Sequence, residues 1–187
     1  MYRDRKSLEA VSYLLDKLGG TAEYIKLIKL LYLVDRKLLE KKGRTVTGDR
    51  VYALPLGPIL SRTLDRLDGK DDAWSEYITN PSRYEVKLAR LVPVAALSSA
   101  ESDVLDEVLV EHGSKTWQEL VEFTHTLPEW LDKGIGGHRT RVAIELEDIA
   151  RALGFNPEEI EHLKETERER EDIAAFWSSI GIAPVYA

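Results

Sequence analysis

The stretch TAEYIKLIKLLYLVDRKLLEKK, residues 21–42, decides how the chain folds. Tyr24, Ile25, Leu27, Ile28, Leu30, Leu31, Leu33, Val34, Leu38 and Leu39 recur in it at helical spacing. They cover too much of the circumference for a helix with one wet face, so the spacing predicts a helix over about 22–42 at the centre of the core. Thr21 is placed to cap it, and Gly43 to end it. Its charges collect at the far end in Arg36, Lys37, Lys41 and Lys42, where cations also suit the helix dipole.

Upstream, Leu8, Val11, Leu14, Leu15 and Leu18 predict a shorter amphipathic helix over 7–18, stopped by Gly19-Gly20. Downstream the period changes. Gly48-Asp49 reads as a turn and Val51-Tyr52-Ala53-Leu54 as a short strand. Gly57-Pro58 reads as the corner into a helix with Pro58 at its first position. Residues 68–83 are polar apart from Trp74, Tyr77 and Ile78, and read as loop with at most one helical turn. Residues 84–92 alternate, with Tyr84, Val86 and Leu88 on one face, as a half-buried strand does. The two strands are expected to pair with each other.

The second half is helical and strongly punctuated. Ser98 to Glu101 and Thr116 to Glu119 have capping-box spacing. Leu127 to Gly137 reads as a loop, and Ile144 to Leu153 as a helix closed by Gly154. Asn156-Pro157-Glu158-Glu159 opens a last helix, with a cap residue, proline and first-turn acids. The expected fold is α+β, mostly α: a compact helical domain over 1–156 with a small antiparallel two- or three-stranded sheet on one side. A charged helical extension follows over 157–187.

The 187 residues contain 33 acids and 26 bases but no cysteine. Disulfides, thiolate metal sites and thiol nucleophiles are thereby excluded. No apolar run approaches the roughly 20 residues that span a bilayer, and no apolar signal segment follows the basic start, so the expected location is cytoplasmic. The net charge of −7 is unevenly spread. Residues 1–99 hold 18 bases and 13 acids, residues 100–156 hold 5 and 12, and residues 157–187 hold 3 and 8. A basic half is joined to an acidic half.

No constellation signals catalysis. His112, His125, His138 and His162 lack the spacing of a metal site. The Gly134–His138 loop lacks the strand-to-helix setting and the Lys-Ser/Thr of a phosphate cradle. Ser61 and His125 come with no nucleophile elbow. Residues 144–165 imitate a helix-turn-helix, but their second helix is acidic where phosphates would have to be met. The reading is a non-enzyme without cofactor.

Four motifs in fixed order carry a resemblance. They are the helix Tyr24 to Tyr32 with Lys29 and Tyr32, the segment Gly48-Asp49 to Gly57-Pro58-Ile59, the pair Thr124-His125 with Pro128-Glu129-Trp130, and the helix Ile144 to Ala150. Over about residues 7–153 the chain resembles the Panacea domain of SocA-like antitoxins, a family also met among phage-associated proteins. Leu56 and Ile59 are mild departures from its pattern. The resemblance implies a mostly helical antitoxin domain with a small sheet, which binds and neutralises a toxin encoded beside it. At least one type in the family delivers its toxin to a protease, and no metal or catalytic residues belong to the family. The matched residues Lys29, Tyr32, Gly57, Pro58, Thr124, His125 and Trp130 read foremost as structural.

Two surfaces are candidates for the partner: the basic end of the central helix (Arg36, Lys37, Lys41, Lys42, Arg44 and Arg50) and the tail aromatics Phe176 and Trp177. The tail has a bland alternative in self-packing or homo-oligomer formation. The alternative function is a transcriptional regulator that binds nucleic acid through the basic N-terminal half.

Overall fold

The computed structural model describes residues 1–70, 72–136 and 140–180. In chain order the elements are α1 (Asp4–Lys17), β1 (Thr21–Glu23), α2 (Tyr24–Lys42), β2 (Val51–Leu54), β3 (Gly57–Leu60) and α3 (Ser61–Leu67). There follow β4 (Ile78–Thr79), β5 (Glu85–Leu88), α4 (Ser99–His112), α5 (Trp117–His125), α6 (Pro128–Leu131), β6 (Val142–Ile144), α7 (Leu146–Ala152) and α8 (Pro157–Ser179). The class is α+β, mostly α, as expected.

Helix α2 is the axis of the core. Leu27, Leu30, Leu31, Val34, Leu38 and Leu39 are fully buried, and α1, α4, α5 and β3 pack around it. Its entry differs from the prediction. Thr21 is not the cap; it pairs with Lys87 in β1, and the helix begins only at Tyr24, whose N–H donates to the Tyr84 carbonyl at 3.0 Å. Strand pairing here claims residues that helical spacing alone would assign to the helix.

The predicted strands do form, but they do not pair with each other. Each belongs to its own three-stranded antiparallel sheet: β1-β5-β4 in one, β3-β2-β6 in the other. In the first, Val86 is buried opposite Ala22, while Tyr84, just before β5, is exposed. In the second, the chain reverses at Pro55-Leu56, so Ala53 faces Pro58 and Leu54 faces Gly57. Pro58 therefore stands in a strand rather than opening a helix. An edge strand tolerates its missing N–H. The helix starts at Ser61, and its orphan N–H groups are met from afar: Asp49 accepts from Arg62 N at 3.1 Å and Thr63 N at 2.8 Å. The Gly48-Asp49 turn is thus the cap of α3.

Both expected capping boxes are present, at Ser98–Glu101 and Thr116–Glu119. Asn156 and Glu159 exchange the same pair of bonds, at 2.8 and 3.0 Å, at the start of α8. Two boundaries shift. Pro128 to Leu131 is a short helix with proline in its first turn rather than a loop. Ile144 closes strand β6, paired with Val51, before α7 begins. Residues 137–139, with His138 of the glycine loop, lie outside the described residues. Trp74, in the polar stretch, is buried, and its Nε1–H donates to Asp4 at 3.3 Å.

Candidate functional site

Residues of three of the four motifs, distant in sequence, come together beside α2. Lys29 projects from α2 into the core with no solvent exposure, and its Nζ donates to the Pro58 carbonyl at 2.6 Å. Burial pulls its ammonium down to a pKa of about 7. Gly57 adopts φ +91°, and a Cβ there would lie 2.7 Å from Thr124 Oγ1 and 2.9 Å from Lys29 Nζ. Only glycine fits this turn, both for its backbone and for the space it leaves. Thr124 Oγ1 donates to the Val121 carbonyl at 3.1 Å. The ring of His125 stacks on Trp130, with centroids 4.0 Å apart. Trp130 Nε1–H donates to the Leu54 carbonyl at 3.0 Å, tying α6 to the hairpin. Burial holds His125 below the ordinary histidine range, and the Lys29 charge adds to this. Among the described residues its Nε2 is buried without a hydrogen-bond partner.

One turn along α2, Tyr32 donates to Glu129 at 2.7 Å, and Arg36 Nε donates to the same oxygen at 2.7 Å. Glu129 is wholly buried, so these two donors replace its water. Burial first, then the Glu129 charge, drives the Tyr32 phenol well above its usual pKa. A further turn along, Asp35 accepts from Val46 N at 2.7 Å, Thr47 N at 3.0 Å and the Thr47 hydroxyl. Burial raises its carboxyl to about 6 against those hydrogen bonds. Asp35 thus pins the loop that leads from α2 to β2.

With these contacts in place, residues 27–131 match the family model of the SocA-like antitoxin, Panacea domain, over more than half of the chain. The chain belongs to the SocA-like Panacea family. Comparison with curated proteins and with solved structures found no match. The Panacea motif residues are the ones that hold α2, the β2–β3 hairpin, α5 and α6 together. Apart from the bare His125 Nε2, the polar groups of this cluster are spent on internal partners.

The basic end of α2 is also largely spent inside the molecule. Lys37 pairs with Glu107 at 3.4 Å and with Glu111, and Lys41 pairs with Glu107 at 2.6 Å. Arg44 joins Lys6 on Glu101, which is buried at the capping box of α4; Lys6 Nζ lies 2.9 Å away. Burial would raise the Glu101 carboxyl, but the bonds from Lys6, Ser98 and Arg44 outweigh it and hold the pKa at about 2. Lys42 and Arg50 are exposed and make no ion pair among the described residues. The basic half of the Panacea chain therefore folds onto its acidic half, and four of the six predicted cations already have carboxylate partners.

A hollow of about 410 Å³ opens between the loop after α2, strand β6 and α8, with Tyr32, Asp35, Arg44, Tyr52, Glu145 and Glu167 among its walls. The walls are mixed in sign, and the Asp35 carboxylate is occupied by Val46 and Thr47. Among the described residues no group of three or more histidines and carboxylates is placed to hold a metal ion. No helix among them is long and apolar enough to cross a membrane.

Phe176 and Trp177 are exposed on the distal part of α8 and in edge-on contact with each other at 5.6 Å. Their neighbour Ala175 lines a hollow that Arg50 and Arg62 also line. Asp35, Glu101 and Glu129 escaped the sequence reading as buried anchors. The signal for Asp35 was its setting: Leu31 four residues before, and Leu38 and Leu39 three and four after, place it on an apolar side of α2.

Proposed function

We propose that the protein is an antitoxin that neutralises a cognate toxin by direct protein–protein binding and performs no catalysis of its own. The observation that carries this reading is the match of residues 27–131 to the SocA-like antitoxin family. The inward use of the motif residues supports it. Lys29, Tyr32, Thr124, Trp130 and Glu129 serve internal bonds, so the Panacea core acts as a rigid frame for a binding surface. Such a protein works in the cytoplasm, where its toxin is made. Transfer of the bound toxin to a protease is compatible with the same surface, as is a homo-oligomeric antitoxin.

The test is coexpression of the full chain with the product of the neighbouring reading frame. Rescue of growth and copurification of the two chains are expected; a toxic neighbour that is neither rescued nor bound refutes the reading. The alternative, a regulator that binds DNA through the basic half, draws less support because Arg36, Lys37, Lys41 and Arg44 are paired with carboxylates. Binding to its own promoter duplex with a steep salt dependence would favour it.

A further inference from the structure

Ile173, Phe176 and Trp177 stand at i, i+3 and i+4 at the end of α8, and Ile180, at i+7, follows its last residue directly. That spacing sets four apolar side chains on one face. They are 58%, 59%, 39% and 51% exposed. The proximal part of α8 is different. Leu163 is buried beside Gly43 at the end of α2, and Glu167 receives Arg3 Nη2 at 2.9 Å. The helix is fastened to the body by these contacts, and the apolar stripe lies beyond them. Single exposed apolar residues are ordinary, but four in helical register on an anchored helix form a binding face.

The charge beside the stripe names the kind of partner. Residues 157–172 contain eight acids and three bases, and the last turn of α8 carries no cation to offset the helix dipole. A complementary surface is therefore an apolar groove with a basic rim. A second copy of this chain does not fit. A parallel pair of such helices would set their acidic stretches side by side. An anionic membrane surface would repel the same acids.

We infer that the distal part of α8 is the docking helix for the toxin, seated through Phe176 and Trp177 in an apolar groove rimmed by lysines and arginines. The inference rests on the antitoxin reading above. The test uses the full chain and the double variant Phe176→Ala, Trp177→Ala, coexpressed with the product of the neighbouring reading frame; Val110→Ala, at another exposed apolar position, is the control. Because these side chains are exposed, both variants keep the wild-type circular dichroism and Tm. The double variant is expected to lose rescue and to raise Kd by about 100-fold or more. The control is expected to bind as wild type, and wild-type binding is expected to weaken with added salt.

A double variant that rescues and binds as well as wild type overturns the docking helix and leaves the antitoxin reading standing. A wild-type chain that neither binds nor rescues overturns both. Sedimentation showing a wild-type dimer that the double variant abolishes reassigns the face to a second copy. Wild-type binding to phosphatidylserine vesicles, lost in the variant, reassigns it to a membrane. Either result overturns the proposal.

Discussion

Replacing Lys29 by methionine isolates the cost of burying an ammonium in the Panacea core. Among the described residues Lys29 Nζ has one hydrogen bond, to the Pro58 carbonyl, and burial lowers its pKa from 10.5 to about 7. Between those two values the unfolded chain holds the proton and the folded chain does not. Unfolding then takes up a proton, so stability rises with pH by up to about 1.4 kcal/mol per unit. Below about pH 7 the group is charged in both states and the penalty is present in full; above the ordinary lysine range it is gone. Methionine keeps the length of the side chain and removes the charge. It leaves the Pro58 carbonyl without its donor, at a cost of about 1–3 kcal/mol that does not vary with pH. From about pH 7.5 to about pH 9.5 the wild type should gain about 3 kcal/mol relative to the variant. Urea unfolding followed by tryptophan fluorescence at steps across that window measures both slopes. Other titrating groups are common to the two proteins and cancel in the difference. Parallel slopes would refute the claim that Lys29 is buried and loses its proton near neutrality.

Three further outcomes follow from the same geometry. Gly57→Ala forces a side chain into φ +91° and against Thr124 and Lys29, and should cost about 1–3 kcal/mol; an unchanged Tm in calorimetry would show that the hairpin has room to shift. Glu129→Gln leaves Arg36 without its carboxylate and weakens the Tyr32 bond, and should cost about 3 kcal/mol in chemical denaturation, with a loss under 1 kcal/mol arguing against a buried pair. Glu101 has its pKa depressed from 4.5 to about 2, so its stabilising contribution is full above 4.5 and lost as the pH falls toward 2. Glu101→Gln should remove about 3 kcal/mol at neutral pH and flatten this acid dependence, and an acid midpoint shared by both proteins would contradict that.

The helices were legible because their signals are local. The capping boxes at Ser98–Glu101 and Thr116–Glu119 close within one turn, and the apolar period of α2 is complete within its own residues. The two strands were legible as strands, but not as members of different sheets. Thr21 pairs with Lys87, and Val51 with both Leu60 and Ile144; nothing in a strand's own alternation says which edge it will meet. Pro58 shows the same limit, since a proline that suits a helix start equally suits an edge strand, and the Ala53–Pro58 pairing decides between them.

By itself the sequence determined the helical frame, the central place of α2, the ordered motifs that mark the family, and a basic half joined to an acidic half. Only the tertiary structure decided what those charges do. Packing α4 and α6 beside α2 brings Glu101, Glu107 and Glu129 to Arg44, Lys41 and Arg36, so much of the apparent basic surface is neutralised within the fold. Packing of the β2–β3 hairpin and of the loop after α2 closes water out around Lys29 and Asp35. The tail aromatics remain outside because the contacts that anchor α8, at Leu163, Lys164, Glu167 and Glu171, come before its apolar stripe begins. Charge and hydropathy are properties of residues, but pairing and exposure are properties of distances between them, and those are set by long-range packing.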